Sequence, residues 1–292
     1  MPSLKDIKRR IKSVKNTKQI TKAMKMVSAA KLKRAQDEIT AARPYAASIQ
    51  ELTLSLSSTA SPDSHPLLSS KAETNKVAAL LLTSDRGLCG SFNAVILRTV
   101  ERFLRERDAS DTNLYLLGRR GVEYFKRSSA SILQSRPLGS KRPQYADAVK
   151  IAEVVMESFL KGEVKEVYMV YTEFKSALTQ RPVAQRILPI STPPAEAENQ
   201  EAQEKHGIEP IFEPSREALL SSLLPRYVQI QVFKAMLESA ASEHGARMTA
   251  MDSASKNATQ MMGALTLKYN RLRQAAITKE LMEIIGGAEA LK

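Results

Sequence analysis

Apolar residues recur at steps of three and four near both ends of this 292-residue chain, the spacing that lays one face of an α-helix against a neighbour. Near the start they are Leu4, Ile7, Ile11 and Val14, and after a lapse over Lys15 to Gln19 they resume at Ile20, Met24, Val27 and Ala30. At about 100° per residue the second set lies roughly 180° around the helix from the first, far more than the ~20° per heptad that supercoiling absorbs. The two halves of this helix are therefore expected to face different neighbours. No glycine or proline falls between Leu4 and Arg43 and Ser3 suits an N-cap, so the helix should begin there, bend or restart at Pro44, and continue to about Ala60.

The other end predicts a longer helix, Arg226 to Ile285, about 90 Å if unbroken, with only Gly245 and Gly263 as weak points. Its seam steps through Met251, Ala254, Ala258, Met261 and Leu265, a coiled-coil pattern whose small residues let another backbone approach closely. Such a helix cannot hide inside a domain of this size, so it must protrude and lean on another part of the chain or another protein.

Between them the grammar changes to strands and helices in alternation. Val77–Thr83 reads as a buried strand, Phe92–Glu106 as a helix, Leu114–Leu117 as a strand and Arg119–Lys126 as a helix. Ser131–Gln134, Tyr145–Lys161, Val167–Phe174 and Val183–Pro189 continue as strand, helix, strand and strand, the last pairing beside the one before. The predicted order is an N-terminal shaft helix over 1–60, a Ser/Pro-rich connection over 61–75, an α/β Rossmann-like domain over 76–190, an acidic flexible linker over 191–208 and a C-terminal shaft helix over 209–292. Ser215 suits the N-cap of the last part, with Pro225 marking a possible bend.

Charge narrows the partners. The chain carries 44 Lys and Arg against 31 Asp and Glu, a formal +13, which points to nucleic acid, an anionic membrane surface or an acidic protein. Twelve of these basic residues lie between Lys5 and Arg34, either as a solvated face or as a shaft surrounded by acidic groups. The single Cys89 excludes an internal disulfide and fits a reducing compartment, and the longest aliphatic run, Val77–Leu82, is far too short to span a bilayer. The basic, amphipathic start resembles an organellar transit peptide, but its pattern continues without a cleavage-like break to Arg43, as expected of mature helix.

Catalytic chemistry is scarce. TSDRGLCGSFN, residues 83–93, sits where a phosphate loop would sit, yet it has neither G-x-G-x-x-G nor a Walker pattern, so Gly87 and Gly90 read as turn formers. His65, His206 and His244 show no metal-ligand spacing and no neighbouring nucleophile. Neither a catalytic residue, a cofactor nor a metal is expected. A basic coiled-coil nucleic-acid binder is the strongest alternative from residues alone. Residues 1–40 lack aromatics for base stacking, however, and a nucleic-acid or membrane-surface role leaves the terminal helix unexplained.

The opening SLKDIKRRIKSVKNTKQITKAMKMVSAAKLKRAQ, the turn TSDRGLCGSFN and the ending YNRLRQAAITKELMEIIGGAEAL closely resemble the gamma subunits of F-type ATP synthases of bacterial type. The resemblance spans nearly the whole chain. It implies an α/β middle domain plus a long antiparallel coiled coil of the two terminal helices, acting as the central rotor shaft that couples proton-driven rotation of the c ring to ATP synthesis on the beta subunits. Implied partners are the hexameric ring of alpha and beta subunits, the epsilon subunit and the c ring, with no cofactor and no active site in this subunit. By match to family motifs, Met24, Arg273, Gln274, Thr278 and Glu283 face the beta-subunit collar, and Glu213 lies at the foot near the c ring. The cysteine pair of the chloroplast redox switch is absent, and the implied home is the cytoplasmic face of a bacterial plasma membrane, peripheral and held through the complex.

Overall fold

A computed structural model describes residues 3–58, 64–70, 72–107, 111–128, 130–138, 142–190 and 215–289. The acidic segment 192–205, the stretch 208–213 and with it Glu213 lie outside the described residues. Among the described residues ten elements follow in order: α1 (Leu4–Ser58), β1 (Val77–Leu82), α2 (Phe92–Arg107), β2 (Thr112–Leu117), α3 (Arg119–Phe125), β3 (Ser131–Arg136), α4 (Tyr145–Leu160), β4 (Glu166–Phe174), β5 (Gln180–Leu188) and α5 (Arg216–Glu289). They fall into two compact units, Ala30–Ala246 in one, Met1–Ala29 with Arg247–Lys292 in the other, so the division lies inside α1 and α5.

In the larger unit a five-stranded sheet has the order β3-β2-β1-β4-β5. The first four strands are parallel and β5 returns antiparallel against β4. Pro182 is accommodated because β5 is an edge strand, where a missing N–H breaks no ladder. Pleating sends the residues of the central strand to opposite faces. Ala78, Leu80 and Leu82 join α4 and Leu220, Leu224, Val228 and Val232 of α5 in one core, with Leu56 of α1. Val77, Ala79 and Leu81 meet α2 and Phe125 of α3 in the other. Burial on both faces explains why β1 is an uninterrupted aliphatic run.

Both long helices start as their caps predict. Ser3 and Asp6 cap each other, the Asp6 N–H donating to Ser3 Oγ at 3.2 Å and the Ser3 N–H to Asp6 Oδ2 at 3.2 Å. The Ala218 N–H donates to Ser215 Oγ at 3.2 Å. Neither proline breaks its helix: α1 runs through Pro44 and α5 through Pro225. At Pro44 the reason is visible, since it and Thr40, whose carbonyl loses its usual donor, are both exposed and water can satisfy the freed group.

The expected half-turn of the apolar stripe part-way along α1 is overturned, although the two halves of the helix do belong to different units. Its buried and half-buried positions keep one heptad spacing, Leu4, Ile7, Ile11, Val14, Lys18, Thr21, Lys25 and Ser28, then Leu32, Ala35, Ile39, Ala42, Ala46, Ile49, Thr53 and Leu56. Ile20 and Val27 are 60 % and 57 % exposed. The apparent lapse in the pattern is a stretch where polar residues occupy the seam. In α5 the seam likewise passes through Met262 rather than Met261, which is 54 % exposed.

One polar network ties α2 to the sheet. The Arg107 guanidinium donates to Glu166 Oε2 at 3.0 Å and to the Tyr168 hydroxyl at 2.7 Å, and Arg186 donates to Glu166 Oε1 at 3.3 Å. Burial alone would raise the Glu166 carboxyl, but these donors outweigh it and hold it below its ordinary value. Its contribution to stability is therefore present above the ordinary carboxylate range and is lost as pH falls through the depressed value. Arg107→Ala should cost about 1–3 kcal/mol, the penalty of stranding a partly buried acceptor. Glu166→Gln should flatten the acid limb of the stability profile in denaturant titrations, and an unchanged acid limb would remove Glu166 from this role.

Candidate functional site

Two features stand out, the paired helices of the smaller unit and the turn after β1. In the helix pair the seam positions of α1 meet a matching series on α5, Met251, Ser255, Ala258, Met262, Leu265, Tyr269, Leu272 and Ala276, all buried or half-buried. Lys25 bonds Asp252 across the pair, and Asp252 also meets Lys256 at 2.9 Å. The lysine hydrogen bonds hold the Asp252 carboxyl below its ordinary value. The signal for this pair was a lysine at a seam position with an acid on the facing helix.

An antiparallel pair pinned at Lys25 and Asp252 sets everything else by counting. Each residue toward the start of α1 is matched by one toward the end of α5, so Leu4 falls about level with Arg273. Beyond that level no helix among the described residues lies beside α5. Every residue from Ile277 to Gly287 is exposed. Among them Ile277, Leu281, Ile284 and Ile285 fall within an arc of roughly 100°, an apolar stripe with no cover. Its i, i+4, i+7, i+8 spacing was legible in the sequence but was not singled out.

The expected contact residues are divided between two levels. Met24 is half-buried beside the Lys25–Asp252 pair, about 30 Å along the helix from Arg273. Arg273, Gln274, Thr278 and Glu283 are all exposed. Thr278 Oγ1 donates to the Gln274 carbonyl at 3.0 Å, and Glu283 pairs with Lys279 at 3.4 Å. These four do not share one face: at about 100° per residue Glu283 lies roughly 180° around the helix from Gln274.

The turn Thr83–Asn93 closes on itself. The Ser84 N–H donates to Asn93 Oδ1 at 3.1 Å, and Asn93 Nδ2 donates to Ser84 Oγ at 2.7 Å and to Cys89 Sγ at 3.2 Å. Leu88 and Gly90 take positive φ of 61° and 58° to make the bend. At the start of α3 the Arg119 N–H donates to Asp85 Oδ1 at 2.9 Å, as does the Leu138 N–H at 3.2 Å. Buried Cys89 packs with Phe92 and Ala246.

The family model described as ATP synthase matches residues 3–291. Proteins named ATP synthase gamma chain from Geotalea daltonii and Heliobacterium modesticaldum are 50 % and 49 % identical to this chain, each over the full length of both. The structure is similar to a chain in the central stalk and c-ring of the Tetrahymena thermophila mitochondrial ATP synthase, at 28 % identity and a TM-score of 0.60, covering 81 % of this chain and 99 % of that one. A chain of the Euglena gracilis mitochondrial enzyme has the same fold, at 20 % identity and a TM-score of 0.68 over 99 % of this chain and 94 % of that one. Matched from end to end by a family model and by relatives at half identity, the chain belongs to the family of ATP synthase gamma chains.

Proposed function

We propose that this chain is the central rotor shaft of an F-type ATP synthase, with the free end of α5 seated in the ring of alpha and beta subunits. The apolar stripe Ile277, Leu281, Ile284 and Ile285 carries the reading, because a face of this kind left in water is costly and a sleeve of other subunits would cover it. The basic residues along α1 suit acidic walls that the shaft can turn past without locking. Met24, Arg273, Gln274, Thr278 and Glu283 would meet the beta subunits, at two levels rather than one. At the other end Glu213 would stand near the c ring and the epsilon subunit, so that proton-driven rotation of the c ring reaches the beta sites. No helix among the described residues is long and apolar enough to cross a membrane. The chain would accordingly be peripheral, held at the cytoplasmic face of a bacterial plasma membrane through the complex, and would hydrolyse no ATP by itself. The comparisons lend nothing to the nucleic-acid alternative.

Reconstitution tests this. Mixed with separately purified alpha and beta subunits, the full chain should yield one assembly with sustained ATP turnover, while the chain alone shows none. Binding to DNA should be weak, without sequence preference, and should collapse with salt as counterion release requires. Turnover by the isolated chain, or failure to join the alpha and beta subunits, would sink the reading.

A further inference from the structure

In the larger unit α5 meets β4 and the turn that follows it at Ser242 and Gly245. At one end Gly245 packs so tightly that an added Cβ would lie 3.3 Å from Ala177 Cα. One turn earlier Ser242 Oγ donates to the Thr172 carbonyl at 3.1 Å. One turn earlier again stands Glu238, on the same face of the helix and only 8 % exposed. Among the described residues its Oε2 has no hydrogen-bond partner, and neither does the buried Thr172 Oγ1.

A carboxylate in that position is unusual. Leaving it ionised without a compensating donor is among the more expensive things a core can do, whereas a neutral acid costs far less. The charged and titratable groups around it are Lys234 one turn back on α5, Tyr171 and Glu173 on β4, Lys175 just past β4, and Arg43 on α1. They do not resolve into a partner. Lys175 is engaged with Glu173 at 2.8 Å, and Lys234 and Arg43 are both exposed to water. Glu173 opposes ionisation. Burial is the largest influence on Glu238 and raises its carboxyl above the ordinary value, and the same burial raises the Tyr171 phenol.

We propose that Glu238 is a proton-operated fastening where α5 crosses β4: neutral, it lets the helix pack closely on the strand, and ionised, it loosens that crossing until water or the Arg43 guanidinium can reach it. The sign follows from linkage. A carboxyl raised in the folded state contributes stability that is complete below its unfolded value, 4.5, and is lost as pH rises through the elevated folded value. The loosening therefore belongs to the pH range above that of ordinary carboxylates. It is local, acting on the crossing of α5 and β4.

The test compares the full native chain with Glu238→Gln, which keeps the shape and removes the titration. Between the ordinary carboxylate pKa and the raised one, the unfolding constant of the native chain should increase roughly tenfold per pH unit at the steepest point, relative to the variant. Amide exchange over residues 235–245 and β4, corrected for intrinsic pH dependence, should accelerate across the same interval in the native chain alone. Identical pH profiles for the two chains overturn the proposal. Should the variant not fold, NMR titration of carboxyl-labelled native protein decides: a Glu238 carboxyl titrating at or below its ordinary value overturns the proposal, and one titrating above it sustains the fastening.

Discussion

Gly118→Ala should abolish most of the stability of the α/β unit. Gly118 follows β2 directly with φ of 99°, and a Cβ there would lie 2.1 Å from the Thr83 carbonyl oxygen. Nothing nearby can yield. The Thr83 N–H donates to the Leu117 carbonyl at 2.7 Å, the Gly118 N–H to the Arg136 carbonyl at 2.8 Å, and the Gly121 N–H to Thr83 Oγ1 at 2.9 Å, so the ends of β1, β2 and β3 are tied at one point. The backbone strain alone is worth about 1–3 kcal/mol, and relieving the overlap means separating strand ends, against a total stability of about 5–15 kcal/mol. Gly263→Ala is the control. A Cβ at Gly263 meets nothing within 4 Å, and its helix should gain roughly 1 kcal/mol of propensity. Thermal melts should show the first variant insoluble or melting far below the native chain and the second melting at or above it; near-native melting of Gly118→Ala would refute the assignment of Gly118 as the tie point.

Gly118 also shows what single-sequence pattern can and cannot carry. The strands were legible because β1, buried on both faces, has to be an aliphatic run, and because α2 and α4 follow strands at the spacing of crossover helices. The seam of α1 was not. Periodicity treats a lysine as a surface residue, so Lys18 and Lys25 looked like a gap, and Ile20, Met24 and Val27 looked like a new stripe. Asp252, 227 positions away, is what lets Lys25 sit in the seam, and no local window contains it. Proline misled for a related reason: its rule concerns a lost donor and a crowded carbonyl, and at exposed Thr40 water removes most of that cost.

The candidate site was legible in a different way. Its residues carry no chemistry that composition could flag, being an arginine, a glutamine, a threonine and a glutamate on an exposed helix, and only the family resemblance singled them out. The structure adds what the motif could not, namely that α1 begins about level with Arg273 and that Ile277 to Gly287 are exposed among the described residues. An apolar stripe is an ordinary core signal in a sequence. It reads as a candidate docking surface once none of the described residues covers it.

Changes at this exposed end of α5 should be felt in activity more than in folding. Arg273 is exposed and makes no ion pair with the chain's own described residues, so Arg273→Ala should leave folding within about 0.5 kcal/mol of native. Seated beside an acidic collar, its guanidinium would offer donors in a fixed fork that lysine reproduces poorly. One hydrogen bond to a charged group contributes about 1.5–3 kcal/mol, so ATP turnover by the assembled complex should fall roughly tenfold or more, with proton pumping falling alongside it. Helix geometry then distinguishes the neighbours. Gln274, adjacent to Arg273, should show coupling in a double-mutant cycle, the pair costing less than the sum of the singles because they share one contact. Glu283, roughly 180° from Gln274, should combine additively with Gln274→Ala, because the two would meet different walls of the ring. ATPase rate and pumping in reassembled complexes, with subunit content checked, measure all of these variants. Full assembly with native rates would remove Arg273 from the rotor contact, and loss of assembly would make it a structural anchor. Strong coupling between Gln274 and Glu283 would mean that one wall wraps the shaft end closely, in which case the grip on α5 comes from enclosure of the apolar stripe and not from a single catch.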